Sequence, residues 1–225
     1  MIAIDGPAGT GKSSATRRLA QALGYVHVDT GAIYRALALL TLEKKLETPA
    51  LETAAAIEIA RSARFEFRRI VGADPENRIL ADGRDVSLLI RTPEVSMASS
   101  RISAIPEVRA ALLDLQRRLG CVGRTILEGR DIGTVVFPDA DLKFFLTASV
   151  EERAKRRLYE LEISGKDAPS FEEVKRQIEL RDHGDTTRSI APLKRAPDAI
   201  DIDTTTLTLD EVVSRMEGLV RERVS

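Results

Sequence analysis

Cysteine, tryptophan and aromatic residues in general are scarce in this sequence of 225 residues. Cys121 is the single cysteine, and aromatic residues make up 4% of the chain. A lone cysteine excludes an internal disulfide and a four-cysteine zinc site. No stretch approaches the ~18 uncharged apolar residues of a membrane span, and the charged Asp5 comes too early for a secretory signal. We therefore expect a cytoplasmic protein with no membrane partner.

An excess of charge of either sign is also missing. The chain has 34 Lys+Arg against 35 Asp+Glu, which leaves a formal net charge of -1. This balance and the scarcity of stacking aromatic side chains argue against a nucleic-acid partner. Among the basic residues, 26 are Arg and 8 are Lys. Because the planar guanidinium suits phosphates, the excess of arginine indicates either a phosphate-handling site or a codon bias, and composition alone favours the bias.

Short apolar runs alternate with helical patterns, which is typical of an α/β protein. The strand candidates are residues 1–5, 25–28, 125–128, 142–146 and 199–203. Because helices separate them, they predict a parallel sheet with ligands at the carboxyl ends of its strands. Thr30 is predicted to cap a helix that runs to about Glu43. The other predicted helix starts are Thr92-Pro93, Ile105-Pro106 and three capping boxes at Ser149, Ser170 and Thr208.

A different pattern interrupts the alternation between about residues 63 and 90. Residues 64–68 alternate polar and apolar, and residues 78–81 are a second strand candidate. Turn signals lie at residues 74–77 and at Asp82-Gly83. The segment predicts a small antiparallel sheet inserted in the α/β chain.

A phosphate-binding motif follows the first strand candidate. Residues 6–13 read GPAGTGKS and match G-x-x-x-x-G-K-[ST] between a strand and a helix. The backbone N–H groups of such a loop turn toward phosphate oxygens, and the positive end of the next helix faces the same anions. Lys12 is expected to reach the β- and γ-phosphates, and the Ser13 hydroxyl to ligate Mg²⁺. The motif predicts binding of a nucleoside triphosphate.

Two further motifs are candidates for binding a second substrate. Residues 29–35 (DTGAIYR) place Arg35 one turn into a helix, where it either clamps an anion or lies on the surface of a capped helix. Residues 127–134 (LEGRDIGT) put an Arg-Asp step between glycines after a strand, at the edge where ligands bind. A buried Arg-Asp ion pair is the alternative there, and it is compatible with binding.

Arginines at helical spacing form a third candidate. Arg153, Arg156 and Arg157 are spaced i, i+3 and i+4, and Arg181, Asp185 and Arg188 are spaced i, i+4 and i+7. Taken alone, both sets are typical of solvated faces with ion pairs. Beside a phosphate loop, a mobile arginine lid becomes a competing interpretation, because phosphoryl transfer depends on charge stabilisation.

As a set, the motifs resemble the bacterial cytidylate kinases of the nucleoside monophosphate kinase family. The resemblance rests on residues 4–14 (IDGPAGTGKSS), 29–35, 128–140 (EGRDIGTVVFPDA) and 181–193 (RDHGDTTRSIAPL), in this order. It implies a parallel-sheet P-loop kinase core at about 1–29, 112–149 and 190–225, a monophosphate-binding region with the small antiparallel sheet at about 30–111, and a short lid at about 150–189. It also implies phosphorylation of CMP and dCMP with ATP and Mg²⁺, and we expect a monomer.

The resemblance also implies roles for individual residues by motif position. The residues implied to hold ATP are Gly6, Pro7, Ala8, Gly9, Thr10, Gly11, Lys12, Ser13 and Ser14. Those implied to face the cytosine are Ser100, Arg109 and Asp131; a carboxylate accepts from the N4 amino group, whereas uracil presents a carbonyl. Those implied to clamp the monophosphate are Arg35, Arg130 and Arg188, with Thr30 and Tyr34 nearby. Arg181 and Asp185 are implied to address the sugar hydroxyls, and Arg153 and Arg157 to close over the transferring group.

The expected chemistry involves no covalent intermediate and no strong general base, because the acceptor phosphate is ionised near neutral pH. Lys12, Arg130, Arg153, Arg157 and Arg188 would be the catalytic residues, and both histidines would be structural or solvated. A uridylate or adenylate kinase remains the alternative, and less so a P-loop GTPase switch, since the guanine-reading N-K-x-D pattern is missing. Whether Gly184 interrupts the helix leading to Arg188 stays open.

Overall fold

The computed structural model describes residues 1–70, 72, 77–163 and 169–224. It divides into two compact units, of which the first comprises Met1–His27 and Gly120–Ser225 and the second Val28–Leu119. In chain order the elements are β1 (Ile2–Asp5), α1 (Lys12–Leu23), β2 (Val26–Asp29), α2 (Thr30–Glu43), α3 (Pro49–Ser62), β3 (Phe65–Arg69), β4 (Asn77–Ala81), β5 (Arg84–Asp85), a 3₁₀ turn (Leu89–Arg91), α4 (Pro93–Ile102), α5 (Pro106–Gly120), β6 (Thr125–Gly129), a π-helical segment (Ile132–Val136), β7 (Leu142–Thr147), α6 (Val150–Ile163), α7 (Phe171–Thr187), β8 (Ile200–Asp203) and α8 (Leu209–Val224).

The predicted parallel sheet is confirmed, with five strands in the order β2-β6-β1-β7-β8. β1 lies at its centre and pairs in parallel with β6 and β7, so that Asp5 stands opposite Gly129 on one side and Phe145 on the other. Apolar side chains of the sheet and of α1 and α8 form the core of the first unit, among them the fully buried Ile4 and Phe144. This order brings the loops after β1 and β6 to one edge of the sheet.

The predicted antiparallel insert is also confirmed, in the second unit. β3, β4 and β5 form a three-stranded sheet in which Phe65 stands opposite Ala81. Asp82 and Gly83 join β4 to β5 with φ angles of 51° and 81°, the pattern of a two-residue hairpin turn. The turn signal at residues 74–77 lies, apart from Asn77, outside the described residues.

The start of α2 differs from the prediction that Thr30 caps it. Asp29 is the N-cap residue, and its carboxylate accepts a hydrogen bond from the N–H of Ala32 at 3.1 Å. Thr30 is instead the first helical residue and is buried. Both types of residue make good caps, and the helix begins one residue earlier than predicted because the carboxylate of Asp29 reaches its amides.

The predicted capping residues of the later helices are confirmed. The side-chain oxygens of Ser149, Ser170 and Thr208 each accept a hydrogen bond from the backbone N–H three residues further on. Among the described helices, none is long and apolar enough to cross a membrane.

Helix α7 runs without interruption through Gly184 and ends at Thr187. Arg188 follows it with φ -59° and ψ 141°, outside the helical conformation. The prediction that Arg188 lies on the same helical face as Arg181 is therefore wrong, because the backbone leaves the helical conformation at Arg188. The turn does not expose Arg188, whose side chain is 4% exposed.

Replacing Gly184 with alanine is expected to stabilise the protein. Gly184 is exposed, and a Cβ built on it meets nothing within 4 Å. Alanine is favoured over glycine inside a helix by about 0.5–1 kcal/mol, so the free energy of unfolding in urea should rise by that amount. Gly218→Ala, at an equally open position of α8, is the matched control and should give a similar gain. A lower unfolding midpoint for Gly184→Ala alone would mean that α7 requires the glycine.

Candidate active site

The phosphate loop connects β1 to α1 and is packed tightly at its first glycine. Gly6 has φ +148°, and a Cβ on it would lie 2.1 Å from the backbone oxygen of Leu146 on β7. A side chain there would collide with backbone that cannot move aside. The close packing on β7 therefore requires glycine at the point where the chain leaves the sheet.

Lys12 is buried at the start of α1, with 6% of the residue exposed. Its Nζ donates to the carbonyl of Pro7 at 2.7 Å, so the ammonium group lies over the loop itself. Burial, and then repulsion from Arg130, lowers the pKa of Lys12 from 10.5 to about 7. The loop thus holds a cation that lacks its usual hydration and is suited to an anionic ligand.

Ser13 and Glu128 make a contact that the sequence motifs did not predict. The Ser13 hydroxyl donates to Glu128 Oε2 at 2.9 Å, and His27 Nε2 lies 2.9 Å from Glu128 Oε1. Glu128 is buried near the end of β6, 115 residues from Ser13. The signal for it was its position at the carboxyl end of an apolar strand, where ligands of parallel sheets bind.

Hydroxyl and carboxylate oxygens are the hard ligands that Mg²⁺ prefers. Ser13 and Glu128 supply one of each within hydrogen-bond distance, so the side chains at this point fit the ion. Among the described residues, no group of three or more His, Cys, Asp or Glu side chains is arranged to hold a metal, here or elsewhere.

Asp5, the last residue of β1, fixes the loop that follows β6. Its Oδ1 accepts the N–H of Ile132 at 2.8 Å, and its Oδ2 accepts the N–H of Gly133 at 2.7 Å. Burial raises the pKa of Asp5 to about 6, although these two hydrogen bonds favour the charged form.

Buried arginines and carboxylates surround the end of α7 and the loop after β6. Arg130 Nε donates to Asp185 Oδ2 at 2.9 Å. The guanidinium of Arg188 lies 3.8 Å from Asp131 and 3.9 Å from Asp185. Burial would raise the pKa of Asp185, but Arg130, Arg181 and Arg188 together lower it below its ordinary value. The structure thus brings together Arg130, Asp131, Arg181, Asp185 and Arg188, to which the resemblance assigns roles in binding the acceptor.

The three arginines of α6 have different environments. Arg153 is buried, donates to the phosphate-loop carbonyl of Ala8 at 3.2 Å and pairs with Asp182 at 2.6 Å. Arg156 donates to both oxygens of Thr204, whose hydroxyl in turn contacts the carbonyl of Thr10 at 3.0 Å. Thr204 was not predicted as a site residue, since nothing in its local sequence marks it.

Arg157 is held on the surface of α6, where its guanidinium pairs with Glu160 at 3.0 Å. Of the three arginines, Arg153 therefore contacts the phosphate loop directly, and Arg156 contacts Thr204, which binds the loop. Arg157 does not take part in those contacts.

The site residues predicted in the second unit lie on α2, α4 and α5. Arg109 lies over the ring of Tyr34, with 5.4 Å from its Cζ to the ring centroid, and donates to the carbonyl of Ser103 at 3.2 Å. The Tyr34 hydroxyl accepts from Gln116 at 3.3 Å. The structure therefore joins Tyr34 and Arg109 through a cation–π contact, and Gln116 is a neighbour that the motifs did not indicate.

The other predicted residues of this unit have separate contacts. Arg35 pairs with Asp29 at 2.7 Å, across the first turn of α2. Thr30, which follows Asp29 in the sequence, is buried. Ser100 is half-buried on α4, and its carbonyl accepts from the Ser103 hydroxyl at 3.0 Å.

Comparison with known proteins gives one consistent result. The family model described as cytidylate kinase matches residues 2–222. The chain is 49% identical to the cytidylate kinase of Citrifermentans bemidjiense over 226 residues, which is 100% of this chain and 94% of that protein. The same identity and coverage are found with the cytidylate kinase of a Geobacter species. A solved structure of an uncharacterized protein from Eubacterium ventriosum has a TM-score of 0.51 at 11% identity, covering 98% of this chain and 97% of that one, which supports the fold alone.

Proposed function

Since the chain belongs to the cytidylate kinase family, we infer that it transfers the γ-phosphoryl group of ATP to CMP, and we propose which of its residues do so. The products are ADP and CDP, and we extend the acceptor to dCMP. A uridylate or adenylate kinase and a GTPase switch are not favoured. The cytoplasmic location and the monomeric state stay predictions.

The observation that carries the residue roles is the cluster of Arg130, Asp131, Asp185 and Arg188. These side chains are buried or nearly so. Arg130 and Asp131 follow β6, the strand that pairs with β1 and its phosphate loop, and Asp185 and Arg188 lie at the end of α7. A set of preorganised cations beside a phosphate loop is what phosphoryl transfer needs, because charge develops on the transferring oxygens.

For ATP, we propose that residues 6–14 bind the phosphates through backbone N–H groups. Lys12 would exchange its bond to the Pro7 carbonyl for the β- and γ-phosphate oxygens, whose negative charge favours the protonated amine. Arg153, fixed against the loop by Ala8 and Asp182, would stabilise the charge of the transferring group. Arg157 would have to leave Glu160 to do the same, which we propose as part of a lid at about residues 150–189.

For CMP, we propose that Asp131 accepts a hydrogen bond from the N4 amino group of cytosine, because a carboxylate has only acceptors to offer. Arg130 and Arg188 would bind the monophosphate, and Arg181 and Asp185 the sugar hydroxyls. The roles of Ser100 and Arg109 at the base, and of Thr30, Tyr34 and Arg35 at the phosphate, rest on their motif positions.

The chemistry needs positioning more than proton transfer. A phosphate acceptor is already ionised near neutral pH, so no side chain has to remove its proton. Lys12 and the arginines would hold the donor and acceptor in line and neutralise the charge between them. Mg²⁺, held by Ser13 with Glu128 beside it, would supply further charge neutralisation at the phosphates.

A panel of nucleoside monophosphates tests the acceptor. With ATP and Mg²⁺ in an assay of ADP release, kcat/KM for CMP should exceed the values for UMP and AMP by at least about tenfold, because uracil presents a carbonyl to Asp131 and adenine is a larger base with two rings. dCMP should also be phosphorylated. A preference for UMP or AMP would refute the assignment of the acceptor, and tight GTP binding without transfer would favour a switch.

A further inference from the structure

Asp5 occupies an unusual position for a charged residue. It ends the central strand β1, immediately before the phosphate loop, and only 4% of it is exposed. Burying a carboxylate is unfavourable unless hydrogen bonds compensate. Both of its oxygens accept backbone N–H groups, from Ile132 and Gly133, which are 127 and 128 residues away in sequence.

Those two amides begin the π-helical segment Ile132–Val136, and its own N-cap residue is Asp131. An aspartate at an N-cap usually turns its carboxylate onto the amides two or three residues ahead. Asp131 makes no such capping bond. Its carboxylate lies 3.8 Å from Arg188 instead. The first amides of the segment are therefore capped by Asp5 and not by Asp131.

We propose that Asp5 is a positioning residue for the phosphoryl acceptor. Its carboxylate caps the segment Ile132–Val136, so the carboxylate of Asp131 is not used for capping. The Asp131 carboxylate is therefore kept toward the arginine cluster and the cytosine base. The inference rests on the proposed role of Asp131. It differs from a role in ATP binding, although Asp5 adjoins the phosphate loop, because both of its side-chain bonds go to the loop after β6.

The packing around Asp5 supports a fixed geometry. A Cβ built on Gly133 would lie 3.4 Å from Asp5 Oδ2 and 3.1 Å from Lys143 Cδ. The backbone of Gly133 is therefore close to both side chains and has little room to shift. Burial works against the charge of Asp5. If the side chain at this position only filled space, an apolar residue would make the protein more stable.

Asp5→Asn tests the proposal, since it keeps the size of the side chain and replaces one acceptor with a donor that faces an N–H group. The Kd of CMP, measured by calorimetry, should rise about tenfold, while the Kd of ATP changes by less than about threefold. Amide hydrogen exchange at Ile132 and Gly133 should become faster. Glu211→Gln is the matched control, because the Glu211 carboxylate also accepts a backbone N–H, from Thr208 at 2.8 Å, and should leave CMP binding unchanged.

A double-mutant cycle separates positioning from general loss of stability. If Asp5 acts through Asp131, the effects of Asp5→Asn and Asp131→Asn on CMP binding will be strongly less than additive. Additive effects, or equal weakening of CMP and ATP, would overturn the proposal. Normal CMP binding by Asp131→Asn would instead refute the proposed role of Asp131 itself. If Asp5→Asn does not fold, Asp5→Glu, which keeps both acceptors but displaces them by a methylene, gives the same comparison.

Discussion

Lys12→Ala is expected to lower kcat for CMP phosphorylation by about 10³-fold, because it removes a preorganised cation from the developing charge. The protein should remain folded, since Lys12 contacts the phosphate loop and is not part of the apolar core. Steady-state kinetics and circular dichroism provide the two measurements. Arg18→Ala, on the exposed side of the same helix, is the control and should keep full turnover. Turnover close to normal in Lys12→Ala would contradict the phosphate-loop assignment.

Replacing Lys12 with methionine tests how much the buried charge of Lys12 destabilises the folded protein. The folded pKa of Lys12, about 7, lies below its ordinary value of 10.5. The unfolded chain therefore binds more protons between these values, and the cost of the buried charge is present in full below pH 7 and disappears toward pH 10.5. That cost is about 5 kcal/mol, and the lost bond to the Pro7 carbonyl offsets about 1 kcal/mol of it.

Ligand-free Lys12→Met should therefore unfold in urea with a free energy about 4 kcal/mol higher than the original protein at pH 6.5. The difference should shrink as the pH approaches 10. A variant that is inactive and also less stable at pH 6.5 would show that the buried ammonium group is favourably solvated by its surroundings.

Asp131→Asn is expected to raise the KM for CMP by about 10²-fold and the KM for ATP by less than about threefold. The amide loses one acceptor and the charge that binds the N4 amino group, a change worth about 3 kcal/mol. It also gains a donor that suits the O4 carbonyl of uracil, so the ratio of CMP to UMP turnover should fall. Asp198→Asn, a carboxylate of the same unit that is 61% exposed, should alter none of these constants. An equal effect on both substrates would remove Asp131 from base recognition.

Local signals in the sequence predicted the elements and failed for contacts between distant parts of the chain. The strands, the antiparallel insert and the caps at Ser149, Ser170 and Thr208 depend on neighbouring residues, and the structure confirms them. The bond from Ser13 to Glu128 joins residues 115 positions apart, and no periodicity encodes it. The same applies to Asp5. Its sequence context indicates only the polar end of a strand, because the amides that it binds follow β6, the strand that pairs with β1.

Where prediction erred locally, two compatible residues competed. Asp29 and Thr30 are both good N-caps, so the sequence could not decide which begins α2. At the end of α7, spacing placed Arg188 on the helix, whereas the helix stops one residue before it. Arg188 reaches the carboxylate of Asp131 from the turn after α7, because Asp131 lies in the loop after β6. Helical spacing cannot indicate a partner from a distant part of the chain.

The central place of β1 also sets an order of events during synthesis of the chain. Residues 2–5 leave the ribosome before their partners, which are residues 125–129 and 142–147. The segment between, Val28–Leu119, is a compact unit with its own core, and it is synthesised before either partner. Because domains tend to fold as units while they are made, the strand that carries the phosphate loop is translated first and paired among the last.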